Sequence, residues 1–354
     1  MLRLLLATLV TALFAGAVAA SANQAERQPE RIVAVGDLHG DFAAWQAVAT
    51  AASLVDADGD WNGGETILVQ LGDVTDRGPD SRKIIDHLRD LQKQADKAGG
   101  EVVLLIGNHE AMNVTGDLRY VHPGEYAAFV DRKSRARLAA TWDANEDRII
   151  AFYREREPDQ PVSTIRELWF AANPPGSLEH RAAWRPGGHY GDWAASLPAV
   201  AKIGDTLFVH GGLSAERGLQ PLDAINAAIA AALVEGDDVD RAAADDPLGP
   251  LWYRGNVLRG DDDAMRMPLE EELSQVLAYH GSTRLVVGHT PAIKGIAAAH
   301  GGRVIRADTG ISAHYGGPAS YLEMTPDEVV AHERGPDGTW VARVLDGTTT
   351  GEAP

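Results

Sequence analysis

Seven side chains at the ends of short apolar runs carry the chemistry legible in this chain. They are Asp37 and His39 in GDLHGD, Asp73 in GDVTDRG, Asn108 and His109 in GNHE, His210 in VHGG and His289 in GHTP. Carboxylate, imidazole and amide oxygen are the donors that suit manganese, iron or zinc. With one carboxylate shared, they make a two-metal centre: Asp37, His39 and Asp73 would hold the first ion, and Asp73 would bridge to a second completed by Asn108, His210 and His289. The two aspartates cancel only part of the charge of two divalent ions. The surplus can hold a phosphate dianion and deprotonate a water lying between the ions at neutral pH. Taken singly, an Asp-x-His reads as a turn and a GHTP as a loop. Their ordered recurrence, each after an apolar run, points to a metal site.

The elements that must position these residues repeat one unit. β-branched runs at 31–41, 66–78, 101–110, 205–213, 283–291 and 303–312 each lead into a polar, glycine-rich loop. Runs of this kind read as strands buried on both faces. FAAWQAVATAASL (42–54) and SRKIIDHLRDLQKQADKAGG (81–100) read as helices, the second closed by Gly99 and Gly100. Strand, loop and helix in alternation define an α/β domain, whose ligands sit beyond the carboxyl ends of the strands.

Residues 111–200 break this rhythm. PGEYAAFVDRKSRARLAATW and EDRIIAFYRERE read as helical and NPPGSLEHRAAWRPGGHYGDW as irregular, and Trp142, Trp169, Trp184 and Trp193 all lie here. The strand pattern then resumes without a second start. The segment is therefore expected to be an insertion capping the site, within one domain spanning 31–347.

The bulk composition bounds the function. The chain has 354 residues, 32 basic and 51 acidic, for a formal net charge of −19. That excess argues against nucleic acid, whose binders need a basic face, and against anionic lipid. MLRLLLATLVTALFAGAVAASANQA has an early Arg3, an apolar run and two A-x-A sites, so residues 1–22 are expected to be a cleaved export signal. The alternative is a membrane anchor, but the run from Leu4 to Ala20 has 17 residues and ends in Ala and Gly. The mature chain is then expected in the periplasm or secreted, with no stable membrane anchor. With no cysteine there is neither a disulfide nor a lipid-attachment thiol.

With GDLHGD, GDVTDRG and GNHE followed by single histidines in VHGG and GHTP, the chain resembles the calcineurin-like metallophosphoesterases. Within them it resembles the phosphoprotein phosphatases, whose second block reads GD-x-x-DRG. The long segment after GNHE, PLWYRG (250–255) and DTGISAHYGG (308–317) look closest to the bacterial, Shewanella-like branch. The resemblance covers about residues 31–330. It implies a two-sheet sandwich flanked by helices and places the metal ligands on the residues above, with Asn108 also facing the phosphate.

His109 matches the histidine that protonates the leaving oxygen, and Asp76 the acid that orients it. Arg77 matches an arginine gripping phosphate oxygens through its planar fork. Arg254 lies near a second arginine, although the eukaryotic-type enzymes read Trp-Ser-Asp-Pro where this chain reads Trp252-Tyr253-Arg254-Gly255. Tyr315 falls on a tyrosine of the site's rim, with packing as its other reading. The implied reaction is direct in-line attack of the activated water on a phosphomonoester, without a covalent phosphoenzyme. The implied substrates are phosphoserine, phosphothreonine or phosphotyrosine proteins. Hydrolysis of nucleotides or diadenosine polyphosphates, periplasmic phosphate scavenging, and a non-catalytic metal- or phosphate-binding module are the competing readings.

Other motifs fall short. DADGDWNGG (56–64) imitates a calcium loop but has Trp61 and Ile67 where glycine and glutamate are required, so a solvated turn is expected. His122, His180, His189 and His314 could line the pocket, but surface or packing roles are expected of each alone.

Overall fold

The computed structural model describes residues 29–234, 242–260, 263 and 265–345. The expected export signal and the last residues of the expected 31–347 domain lie outside the described residues. Among the described residues eleven strands form in chain order: β1 (Ile32–Val35), β2 (Ile67–Gln70), β3 (Glu101–Leu104), β4 (Val200–Ile203), β5 (Thr206–Val209), β6 (Arg284–Val287), β7 (Ala297–Ala299), β8 (Val304–Arg306), β9 (Ser320–Met324), β10 (Val329–Arg334) and β11 (Trp340–Val344). They build two sheets, ordered β11-β10-β9-β1-β2-β3 and β4-β5-β6-β8-β7. In each sheet a parallel trio, β1-β2-β3 or β5-β6-β8, is bordered by antiparallel strands. The parallel trios are the six runs predicted from sequence; the antiparallel borders carry no comparable local signal.

Alternation along the strands creates the layers. Ile32 and Ala34 of β1, Val69 of β2 and Leu322 of β9 join Phe208, Val286 and Ile305 of the second sheet in one buried cluster. Their neighbours Val33, Val35, Leu68, Leu207, Val209, Leu285 and Val287 turn outward into a larger cluster shared with the helices. The central strands β1, β2, β5 and β6 are thus buried on both faces, and the result is helix, sheet, sheet, helix. Burying one such Leu or Phe contributes about 1.5–3 kcal/mol.

The helices follow from their own signals. Asp41 caps α1 (Phe42–Ala51), its Oδ1 accepting from Ala44 N–H. α2 (Ser81–Ala98) buries Ile84, Ile85, Leu88, Leu91 and Ala95 along one stripe and ends at Gly99, at φ 84°. α3 (Asn108–Thr115) opens on the last three residues of GNHE. Between β3 and β4 come α4 (Pro123–Ala127), α5 (Ser134–Arg154), α6 (Val162–Ala172), α7 (Ser177–Trp184) and α8 (His189–Ala195), and no strand. The last two stand where the sequence predicts irregular chain. Helices this short are marginal in isolation. These are held by burial of Trp184, Tyr190 and Trp193, the first two stacked at 5.4 Å. Leu138, Trp142, Ile165 and Trp169 give the segment a small core of its own. Among the described residues no helix is long and apolar enough to cross a membrane.

Candidate active site

All six parallel strands deliver polar residues from their carboxyl ends into one place. β1 delivers Asp37 and His39, β2 delivers Asp73, Asp76 and Arg77, β3 delivers Asn108 and His109, β5 delivers His210, β6 delivers His289 and β8 delivers Asp308. The first two loops are clamped together: Leu38 and His39 N–H donate to the Asp73 carbonyl at 3.0 and 2.9 Å, and Gly40 N–H to that of Val74 at 2.8 Å. Gly40 and Gly78 make this approach possible, because a Cβ on Gly40 would lie 2.5 Å from the Gly78 oxygen. His39, Asp73, Asp76, Arg77 and His289 all take positive φ, at 44°, 55°, 70°, 66° and 60°. Non-glycine residues hold such angles only where their surroundings over-determine them.

The six residues proposed as ligands are all buried, and the site contains two groups of buried metal-capable side chains. One is His39, Asp73 and His109; the other is Asp73, His210 and His289; within each group the ligand atoms lie within 4.8 Å of one another. Asp73 belongs to both. Asp37 borders the first, its Oδ2 3.8 Å from His39 Nε2, while its Oδ1 accepts from His289 N–H at 3.1 Å. His109 shares the first group, yet its Nδ1 is committed to Asp76.

The donor set fits a cation. His39 Nδ1 donates to the Thr75 carbonyl at 3.0 Å and His210 Nδ1 to that of Leu71 at 2.8 Å. These bonds turn each Nε2 lone pair toward the carboxylates. His210 Nε2 then lies 2.9 Å from Asn108 Oδ1 and 3.3 Å from Asp73 Oδ1. Three lone-pair atoms crowd together there, an arrangement a cation relieves. His289 Nε2 is buried without a hydrogen-bond partner. Burial drives His39 down to about 3 and His289 well below its ordinary value, so both present neutral imidazoles. Burial alone would raise Asp73, but His210, His109 and His39 around it hold its carboxyl well below the usual range.

Beside this cluster His109 Nδ1 lies 2.6 Å from Asp76 Oδ2. Burial would lower His109, but the Asp73 and Asp76 carboxylates outweigh it and raise the imidazole above its ordinary value. The Arg77 guanidinium stacks on Tyr120, 3.8 Å from the ring centroid, with the Tyr315 centroid at 6.0 Å. Its Nε is buried and unpartnered. Arg254 is tied by Nη1 to the His289 carbonyl and Thr290 Oγ1, at 2.7 and 3.1 Å. Tyr315 is 37% exposed and its ring stands 5.4 Å from that of His39.

Several residues here were invisible to motif reading. Asp308 completes the sixth strand end; burial lifts it to about 6, and its Oδ1 accepts from Gly310 N–H at 2.7 Å. It stands within the last predicted run and opens DTGISAHYGG, but neither gave it a role. Glu110 takes the N–H groups of Asp73, Val74 and Thr75 at 2.9, 2.9 and 3.1 Å. Asn113 Nδ2 donates to Asp76 Oδ1 at 2.9 Å. Tyr120 arrives from the helical segment. The second acid of GDLHGD, Asp41, is a helix cap outside the cluster.

Of the four further histidines, His314 alone meets the site's rim, edge-on to Tyr315 at 4.8 Å. His122 caps α4, His189 meets Arg89 at the surface, and His180 is buried among aromatic rings. In the 56–64 loop Asp56 Oδ1 accepts from Asp58 and Asp60 N–H, which is a turn.

Parallel strands in two packed sheets, delivering aspartates, histidines and one asparagine to a shared carboxylate, describe a metallophosphoesterase centre. The profile of the family "Calcineurin-like phosphoesterase" matches residues 30–314, and the chain belongs to that family. It is a metallophosphoesterase, a hydrolase of phosphoric monoesters. An uncharacterized protein of Schizosaccharomyces pombe is 33% identical over 304 residues, 85% of this chain and 79% of its own. Shewanella-like protein phosphatase 2 of Arabidopsis thaliana is 33% identical over 298 residues, 80% of this chain and 72% of its own. Among solved structures, the cold-active protein-tyrosine phosphatase of a psychrophilic Shewanella superposes with a TM-score of 0.62 at 26% identity, covering 88% of this chain and 80% of that one.

Proposed function

We propose that the enzyme is an exported, two-metal phosphatase of phosphorylated proteins that favours aryl esters, phosphotyrosine above all. The observation that carries this reading is the pair of tyrosine rings beside the Arg77 guanidinium, Tyr120 at 3.8 Å and Tyr315 at 6.0 Å. A phenyl ring can pack against such rings while its phosphate reaches the arginine. The Shewanella structure carries the name of a tyrosine phosphatase, which supports the same choice. The A-x-A sites after the apolar N-terminal run support export.

In this reading Asp37, His39 and Asp73 hold one ion and Asp73, Asn108, His210 and His289 the other, drawn from manganese, iron or zinc. The ions supply positive charge for a phosphate dianion and acidity for a water. The chain's own groups do the rest. Arg77, together with Arg254, takes the equatorial oxygens through paired N–H donors. Asp76 keeps the proton of His109 on Nδ1 and holds the ring, so that protonated Nε2 can give its proton to the departing oxygen. Alkoxides need that proton more than nitrophenolate does. Asp73 draws both ligand groups together.

A panel decides: phosphoserine, phosphothreonine and phosphotyrosine peptides, p-nitrophenyl phosphate and diadenosine tetraphosphate, each with manganese, zinc and iron. Preferential turnover of phosphotyrosine is expected. Preference for the dinucleotide would replace the protein-substrate reading with the nucleotide one. No turnover with metals bound would leave a binding module. N-terminal sequencing of protein recovered outside the cytoplasm checks the export signal, with a mature chain starting near residue 23 expected.

A further inference from the structure

Asp76 and Arg77 are consecutive residues with positive φ, 70° and 66°. The Glu110 carboxylate that organises this loop reaches no further than Thr75. The next two amides are taken from another direction. Asp76 N–H donates to Glu125 Oε1 at 3.0 Å, and Arg77 N–H to the Tyr120 carbonyl at 3.0 Å. Glu125 lies on α4, and Tyr120 in the loop before it. The same Glu125 oxygen accepts from Ser81 Oγ at the start of α2. Its other oxygen faces His180 Nε2 at 3.7 Å. His180 is fully buried on α7. Neither of its ring nitrogens has a hydrogen-bond partner. Tyr126 and Phe129 pack against it edge-on at 5.2 and 5.0 Å.

The geometry points to Glu125 as a positioning residue of the phosphatase centre: it holds the Asp76 amide, and through it the carboxylate that orients His109, while His180 braces its far oxygen. The helical segment is then a strut beneath the acid pair as well as a wall beside the substrate. Burial lifts Glu125 to about 8 and drops His180 to about 3. At neutral pH a largely protonated carboxyl therefore faces a neutral imidazole. Its carbonyl-type oxygen is free to accept both hydrogen bonds. A glutamine presents the same acceptor, and an alanine presents none.

The inference rests on the role of His109 argued above, so its test has one arm that needs no activity. In the full chain, hydrogen exchange resolved to single amides compares wild type with Glu125→Ala and Glu125→Gln. In the alanine variant Asp76 should exchange about tenfold faster or more, against Val74 and Thr75 as internal controls; the glutamine variant should stay close to wild type.

The second arm measures kcat on phenyl phosphate and p-nitrophenyl phosphate. Glu125→Ala should lose about tenfold more on the poorer leaving group, with metal content unchanged and glutamine rescuing both. Equal losses on the two substrates, or unchanged exchange at Asp76, would overturn the proposal. If the alanine variant does not fold, His180→Phe should give the same pattern at smaller amplitude, and a variant indistinguishable from wild type would count against it. A wild-type enzyme inert toward every phosphoester would sink the functional reading, while the exchange arm would still decide the clamp.

Discussion

His109 and Asp76 form a closed pair: the imidazole Nδ1 lies 2.6 Å from one carboxylate oxygen, and Asn113 Nδ2 holds the other at 2.9 Å. The proton of His109 and the plane of its ring are thereby set together. His109→Asn is expected to cost about 10²–10⁴-fold on alkyl or phenyl phosphates, and much less on p-nitrophenyl phosphate, whose leaving group departs unprotonated. Its metal content should match wild type. Equal losses on both substrates would take His109 out of the acid's role.

Asp73 belongs to both ligand groups and also accepts the His109 N–H through Oδ1 at 2.9 Å. Asp73→Asn removes a charge that no neighbour replaces. Turnover should fall by about 10³-fold or more, and elemental analysis after manganese loading should find fewer than two equivalents per chain. Chelation of the wild type should silence it, and added metal should restore it. Two equivalents bound to an active Asp73→Asn enzyme would refute the shared-carboxylate arrangement.

Arg77 combines a stacked plane, 3.8 Å from the Tyr120 centroid, with an unpartnered buried Nε. Lysine keeps the charge but neither the plane nor the fork. Arg77→Lys should therefore lower kcat/KM by about 10–100-fold, the value of one or two charge-assisted hydrogen bonds. Tyr120→Ala should weaken phosphotyrosine peptides more than phosphoserine peptides. Identical effects on both peptides would remove the argument from the tyrosine rings.

The stability of the fold should depend on pH through Glu125, which burial raises to about 8, against roughly 4.3 in an unfolded chain. Between those values the folded chain keeps a proton that the unfolded chain has lost, so stability falls as pH rises across the window. Glutamine cannot titrate. Thermal melts from about pH 5 to about pH 8 should therefore show wild type losing ground steadily to Glu125→Gln. Parallel melting curves would show that Glu125 does not titrate in this window.

Much of the site was legible because its signals are local. A β-branched run followed by a glycine-rich polar loop marks a buried strand and its end, and GDLHGD, GDVTDRG and GNHE each place their donors within a few residues of one. The antiparallel strands β4, β7, β9, β10 and β11 were not legible. They are no shorter as a group than the parallel strands, but border strands are chosen by the partners they find. The helices α7 and α8 were missed for the same reason: propensity is weak over so few residues, and buried tryptophans decide instead.

By itself the sequence determined which side chains are available for the chemistry and that they stand at strand ends, since residue type and hydrophobic period are properties of neighbouring positions. Only the tertiary structure decided how they are aimed. The hydrogen bond from His210 Nδ1 to the Leu71 carbonyl that aims this ring spans 139 positions, and the one that holds Asp76 to Glu125 spans 49. Such pairings are fixed by how two sheets and a helical segment pack, because a carboxylate or an imidazole can be buried only where the fold brings it a partner.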